Sequence, residues 1–221
     1  MTHMSPPIRA VLFDFGGVIL SSPIDELLAY EADVGLRAGF LQDLNKQQSD
    51  TNAWARMERG ELGEDEFYAL FEAEARALGG TVDARTLFLR LTGRIRTEMV
   101  DAVRNLRSRY VTMCVTNNMR IGFGSAMAST EAKAAEIAEV MTLFHHVVES
   151  WKIGTRKPER RFFEHACGLA GVEAAECVFL DDLGTNLKTA RAMGMRTIKV
   201  ADPRAALDEL EGVLGHPVRT K

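Results

Sequence analysis

The chain has 221 residues, 46% hydrophobic and 26% charged, the composition of an ordinary globular protein. Its 27 Lys and Arg against 31 Asp and Glu leave a formal net charge of −4, which excludes a sequence-independent grip on nucleic acid. No stretch approaches the roughly 20 apolar residues of a membrane helix, and Cys114, Cys167 and Cys177 lack the pairing or CxxC spacing of a disulfide framework or thiolate metal site.

The opening Met1-Thr2-His3-Met4-Ser5-Pro6-Pro7 lacks the charged and apolar regions of a secretion signal. With the cysteine pattern, this points to a cytoplasmic, reducing compartment. Ala10-Val11-Leu12-Phe13 is the first of five short apolar runs with little polar alternation, as expected of parallel strands covered on both faces. From about Ile24 to Arg96 the chain changes character: Ala, Leu, Glu and Arg dominate, and Glu64-Asp65-Glu66-Phe67-Tyr68-Ala69-Leu70-Phe71 carries helical apolar spacing. That stretch reads as an all-helical insert, a second, smaller domain. A helix over Val100 to Arg109 leads to the strand Val111-Thr112-Met113-Cys114-Val115, then a glycine-bearing loop and helix over Gly122 to Val140. Val147-Val148, a helix over Arg160 to Leu169, Val178-Phe179-Leu180, a helix over Leu187 to Met193 closed by Gly194, and Thr197-Ile198-Lys199-Val200 complete the series. Strand and helix alternating in this way predict a doubly wound, Rossmann-like α/β sheet.

The chemistry lies where the strands end. The first runs into Phe13-Asp14-Phe15-Gly16-Gly17-Val18, a carboxylate before a glycine turn at the edge where open α/β sheets bind ligands. The second ends in Thr116-Asn117-Asn118, which equally suits an Asx or Thr turn. Lys157, in Gly154-Thr155-Arg156-Lys157-Pro158-Glu159, would alone be a surface residue. Val178-Phe179-Leu180 leads directly into Asp181-Asp182-Leu183-Gly184-Thr185-Asn186. Two adjacent carboxylates after a buried strand repel each other unless a positive group sits between them. A hard cation such as Mg²⁺ supplies that charge and prefers oxygen. His145-His146 would point to opposite faces of a strand and would not share an ion. Met113, Met141 and Met193 read as core packing. Trp54 and Trp151 read as packing residues too, although Trp54 falls in the insert and could line a pocket.

The ordered set Asp14, Thr116, Lys157 and Asp181-Asp182 resembles the haloacid dehalogenase (HAD) superfamily of aspartate-nucleophile hydrolases. Val148-Glu149-Ser150, Lys157-Pro158-Glu159 and Phe179-Leu180-Asp181-Asp182-Leu183-Gly184-Thr185-Asn186-Leu187-Lys188 are similar to the N-terminal phosphatase domain of soluble epoxide hydrolase. They are more similar still to the HAD-like domain fused to some acyl-CoA dehydrogenases. The resemblance implies an α/β core of residues 8–20 and 100–215, with a small helical cap of residues 21–99 inserted after the first motif.

It further implies a Mg²⁺-dependent phosphatase acting on a small phosphorylated metabolite, as a monomer or homodimer. Asp14 would be the nucleophile that forms an aspartyl-phosphate. The Asp14 side chain, the Gly16 carbonyl and Asp182 would hold the metal, with Asp181 assisting and Asn186 orienting that shell. Thr116, the Asn117 amide, Gly17 and Lys157 would hold the phosphate, Lys157 also neutralising charge on Asp14.

One position departs from the family pattern. Most phosphatases of the superfamily carry a second Asp, the general acid and base, two residues after the nucleophile, where this chain has Gly16. The carbonyl survives, the proton donor does not, and turnover is expected to be slow or restricted to good leaving groups. Asp25 or Glu26, at the start of the insert, could substitute. The alternative is a catalytically weakened protein that binds a phosphorylated ligand or a partner. Haloacid dehalogenation is disfavoured, because displacing halide from carbon needs no metal and no paired acidic residues.

Overall fold

The computed structural model describes residues 6–91, 93–123 and 125–219, so the opening Met1–Ser5 lies outside it. Strand β1 (Ala10–Phe13) is followed by five helices, α1 (Ile24–Asp33), α2 (Phe40–Lys46), α3 (Ala53–Glu58), α4 (Glu64–Ala77) and α5 (Ala84–Arg90). Helix α6 (Thr97–Leu106), β2 (Val111–Thr116), α7 (Glu131–Met141), β3 (His146–Glu149), α8 (Ser150–Ile153) and α9 (Arg160–Ala170) come next. The chain ends with β4 (Cys177–Asp181), α10 (Gly184–Ala192), β5 (Arg196–Lys199) and α11 (Pro203–Leu214).

The five strands form one all-parallel sheet in the order β3-β2-β1-β4-β5. The chain builds outward from β1 on one side and then crosses to β4 on the other, so the order reverses beside β1, where such sheets bind ligands. Alternation along the strands feeds two cores. Val11, Phe13, Cys114, Val178 and Leu180 pack with Met99, Val103, Ile137 and Leu207 on one face. Ala10, Leu12, Met113, Val115 and Phe179 pack with Phe162, Phe163 and Leu187 on the other. Each fully buried Leu, Val or Phe contributes about 1.5–3 kcal/mol, so both faces of the sheet are held rigidly under the strand ends.

Helices α1–α5 bury a third cluster, including Tyr30, Phe67, Phe71, Leu87 and Phe88, that also takes in Met119 and Ile121 from the segment after β2. Their short ends are capped by side chains: Asn52 accepts from the Ala55 N–H at 2.8 Å and Asp83 from the Thr86 N–H at 3.0 Å. The chain enters and leaves this helical unit at one place, a Leu20–Ile95 antiparallel bridge flanked by Ser21 N–H to Arg94 O (2.8 Å) and Arg96 N–H to Ile19 O (2.9 Å).

Some element ends differ from the sequence expectation. Helix α6 starts three residues before the expected Val100 and stops at Leu106, with residues 107–109 closing as a turn. The apolar spacing of Met99, Val100, Val103 and Leu106 marks the buried face, not the ends. Among the described residues no helix is long and apolar enough to cross a membrane.

Candidate active site

The ends of β1, β2 and β4 meet at one point. Phe13 lies opposite Leu180 in the β1–β4 ladder, and the Asp14 N–H donates to Leu180 O at 2.9 Å, so Asp14 and Asp181 leave the sheet side by side. Asp14 Oδ1 accepts from the Phe15 N–H at 2.6 Å, which aims the carboxylate over the strand end. The turn that follows needs glycine once. Gly17 has φ 77°, and a Cβ there would lie 2.3 Å from Asp182 Oδ2. Gly16 is the opposite case: φ −69° and ψ 131° suit any residue, and nothing lies within 4 Å of a Cβ built there.

Asp181 is fully buried and saturated. Its Oδ1 accepts from the Leu183 N–H (2.7 Å) and Asn186 Nδ2 (3.1 Å), its Oδ2 from Asn186 Nδ2 (3.0 Å) and Lys157 Nζ (2.8 Å). Lys157, 1% exposed, also reaches Asp14 Oδ1 at 2.8 Å. Its Nζ lies 5.5 Å from the centre of the Phe179 ring. An ammonium has three protons, and the third meets no protein acceptor among the described residues. Burial opposes the charge on Lys157, but the Asp14 and Asp181 carboxylates outweigh it and raise its pKa above the usual lysine range.

The carboxylates outnumber that cation. One oxygen each from Asp14, Asp181 and Asp182 lie within 4.8 Å of one another. Burial raises the Asp14 pKa well above the usual carboxylate range; Lys157 opposes this, while Asp181 and Asp182 add to it. Asp182 is pushed up to about 6, by burial first and Asp181 second. Because Asp181 is already spoken for, Asp14 and Asp182 keep the oxygens that a further cation could use. A largely buried, oxygen-only cluster in which three carboxylates face one lysine fits a hard divalent ion.

Thr116 is buried at the end of β2. The Asn117 side chain grips the backbone of Lys157: its Oδ1 accepts from the Lys157 N–H (2.8 Å) and its Nδ2 donates to the Lys157 carbonyl (2.9 Å). That leaves the Asn117 backbone N–H, not the side chain, to meet a ligand oxygen. Asn118 ties β2 to β3 by donating to Glu149 Oε1 at 2.7 Å and bonding Ser150 Oγ through its backbone N–H (3.1 Å) and carbonyl (3.2 Å).

Of the residues considered from sequence, Asp14, Gly16, Gly17, Thr116, Asn117, Asp181 and Asp182 sit at or just after these strand ends, and Lys157, from the loop before α9, and Asn186, on α10, reach Asp181 there. Glu26 is exposed on α1, and the Asp25 side chain lies outside the described residues. Sequence reasoning missed Arg96, whose Nη1 donates to Gly17 O at 2.6 Å, and Glu58, which reaches Asn117 Nδ2 at 3.2 Å from the helical unit. Neither carries a local signal, since each contact joins segments far apart in the chain. Trp54 packs against Phe71 and Phe88 and donates to Glu58 at 2.9 Å.

A family model described as haloacid dehalogenase-like hydrolase matches residues 8–194. The chain is 31% identical over 216 residues to acyl-CoA dehydrogenase family member 10 of Mus musculus, across 95% of this chain but 19% of that protein. It is 28% identical over 219 residues to bifunctional epoxide hydrolase 2 of Sus scrofa, across 94% of this chain and 39% of that protein. This chain thus spans well under half the length of either relative. A sesquiterpene phosphatase of Aspergillus oryzae is 26% identical over 215 residues, 96% of this chain and all of its own length. Among solved structures, a variant of a HAD family enzyme from Bacteroides thetaiotaomicron, complexed with magnesium and inorganic phosphate, shares the fold with a TM-score of 0.60. It has 18% identity and covers 87% of this chain and 93% of its own.

Proposed function

The chain belongs to the haloacid dehalogenase-like hydrolase family, and from that premise we propose that it is a Mg²⁺-dependent phosphatase of small organic phosphate monoesters. The observation that carries this reading is the trio of buried Asp14 and Asp181 with half-buried Asp182, and Lys157 set between the first two at 2.8 Å from each. A phosphatase among the full-length relatives and a fold neighbour solved with magnesium and phosphate support it.

Asp14 and Asp182, with the Gly16 carbonyl, would hold the metal, and Asp181 would support them. When bound, Mg²⁺ supplies positive charge that lets a carboxylate approach a phosphate dianion. Asp14 attacks phosphorus: an O–P bond forms on its carboxylate and the bond to the substrate oxygen breaks, giving an aspartyl-phosphate and an alkoxide or phenoxide. Water then hydrolyses the acyl phosphate and restores Asp14. Lys157 favours the charged form of Asp14 against its burial and offers its third proton to a phosphoryl oxygen, while Thr116, Gly17 and the Asn117 N–H complete the phosphate cradle. No side chain at position 16 protonates the leaving oxygen, so departure depends on its own stability or on water. Residues 21–99 would act as a cap that covers the core of residues 8–20 and 100–215 and selects the leaving group.

Turnover of an aryl phosphate with added Mg²⁺, abolished by Asp14→Asn, is the expected result; absence of phosphate release from folded, metal-loaded protein refutes the reading. Gly16 favours a second reading, in which the site binds a phosphorylated ligand without turning it over. Saturable phosphate binding without hydrolysis would select that reading.

A further inference from the structure

We propose that Glu58 is a positioning residue, through which the helical unit fixes Lys157 in the site; the proposal rests on the phosphatase reading above. Glu58 ends α3 and is 6% exposed, a carboxylate buried where the helical unit meets the strand ends. A buried charge persists only where donors surround it, and Glu58 has three. Oε1 accepts from Trp54 Nε1 at 2.9 Å. Oε2 accepts from Asn117 Nδ2 at 3.2 Å and from Arg156 Nε. Two of these donors belong to the sheet domain, and both adjoin Lys157: Arg156 precedes it in the chain, and Asn117 holds its N–H and its carbonyl.

The next residue reinforces the contact. Arg59 pairs with Glu159 Oε1 at 2.7 Å, and Glu159 Oε2 accepts from Thr155 Oγ1 at 2.7 Å. Residues 155, 156, 157 and 159 are therefore all held from the end of α3, 156 and 159 directly, 157 through Asn117 and 155 through Glu159. From Glu58 an unbroken chain of bonds runs through the Asn117 amide to the Lys157 backbone and, at the far end of that side chain, to Asp14 and Asp181. Lys157 reaches both carboxylates from a loop, and a loop holds a side chain to catalytic tolerance only when its backbone is fixed. Glu58 touches no reacting atom; it acts through Lys157, and seating of the helical unit and completion of the site become one event.

The test uses the 221-residue chain, Mg²⁺ and an aryl phosphate. Glu58→Gln keeps an acceptor for Trp54 but removes the charge facing Arg156 and sets a second amide against Asn117. Misplacing a catalytic group by about 1 Å can cost on the order of 100-fold; a loosened but present Lys157 should cost about tenfold in kcat, with KM changed less than about twofold. Trp54→Phe removes one donor from the same carboxylate and should cost about two- to threefold, and it carries the test if Glu58→Gln fails to fold. In an Asn117→Ala background the route through the Asn117 amide is already cut and only the Arg156 contact remains, so Glu58→Gln should cost clearly less than its tenfold in the wild-type background. Losses that multiply independently in the double variant, or a kcat unchanged in Glu58→Gln and Trp54→Phe, overturn the proposal. If the wild-type chain turns over nothing, the phosphatase reading fails, and the linkage is then read from a crystal structure of Glu58→Gln. Displacement of the Lys157 ammonium from Asp14 supports the linkage; Lys157 and the Asn117 clamp in their present places refute it.

Discussion

Gly16→Asp should convert a site that must rely on good leaving groups into one that supplies its own proton. The backbone permits the change: φ −69° and ψ 131° are ordinary for any residue, and a Cβ meets no atom within 4 Å. Replacing glycine at a compatible position also removes about 0.4–1 kcal/mol of unfolded-state freedom, which offsets part of the repulsion from a fourth carboxylate beside Asp14, Asp181 and Asp182. A positioned acid or base typically contributes about 10²–10⁴-fold, or ~2.7–5.4 kcal/mol of barrier. Position 16 is exposed, so the neighbouring carboxylates rather than burial would favour the protonated form of a new carboxyl there, as an acid requires. The gain should reach about 100-fold in kcat/KM on an alkyl phosphate and only a few-fold on a nitrophenyl phosphate, whose leaving group needs little help. Parallel steady-state assays on the two substrates read the difference. A folded Gly16→Asp protein that hydrolyses the alkyl ester no faster than the wild type would show that position 16 cannot deliver a proton to the leaving oxygen.

Three further outcomes follow from the same geometry. Gly17→Ala forces a Cβ to 2.3 Å from Asp182 Oδ2 at φ 77°, so it should lower stability by about 1–2 kcal/mol, read as a shifted urea midpoint with unchanged slope, and should blunt stabilisation by Mg²⁺. Lys157→Met leaves Asp14 and Asp181 buried without their shared cation and should cost about 3–5 kcal/mol in denaturant unfolding; a loss under about 1 kcal/mol would contradict the ion triad. Asp182 titrates at about 6 in the folded chain, against an ordinary 3.8. The folded state therefore keeps a proton that the unfolded chain has released, so this contribution is fully present below about pH 4 and lost as pH rises through 6. Metal-free protein should accordingly melt lower at pH 7 than at pH 5. Asp182→Asn should flatten that slope and abolish the rise in Tm that added Mg²⁺ gives the wild type at pH 7.

The parts of the molecule legible in the sequence are those set by local pattern. The run 10–13 is β1 residue for residue, because a parallel strand buried on both faces must be apolar throughout. Asp14 and the Asp181-Asp182 pair converge because β1 and β4 are neighbours in the sheet and each strand ends at its carboxylate. What local pattern does not encode is side-chain use across long separations. Asn117 reads as a phosphate ligand by position, and its sequence gives no sign that its side-chain amide is committed to Lys157, 40 residues on, so that only its backbone N–H is left for that role. Glu58 and Arg156, 98 residues apart, look like two ordinary surface charges until α3 is set against the loop before α9. Glu26 shows the converse: an acidic residue that follows the first motif closely in sequence but stays exposed on α1.

The Leu20–Ile95 bridge has an evolutionary consequence. Because the helical unit departs and returns through adjacent backbone, it resembles a cassette held at a single doorway, and the five-stranded floor could accept a different cassette without refolding. New substrate preferences can then arise by exchange of whole inserts rather than by gradual change around the carboxylates. Any graft that lacks a carboxylate at the place of Glu58 would arrive with an intact floor and a poorly anchored lysine.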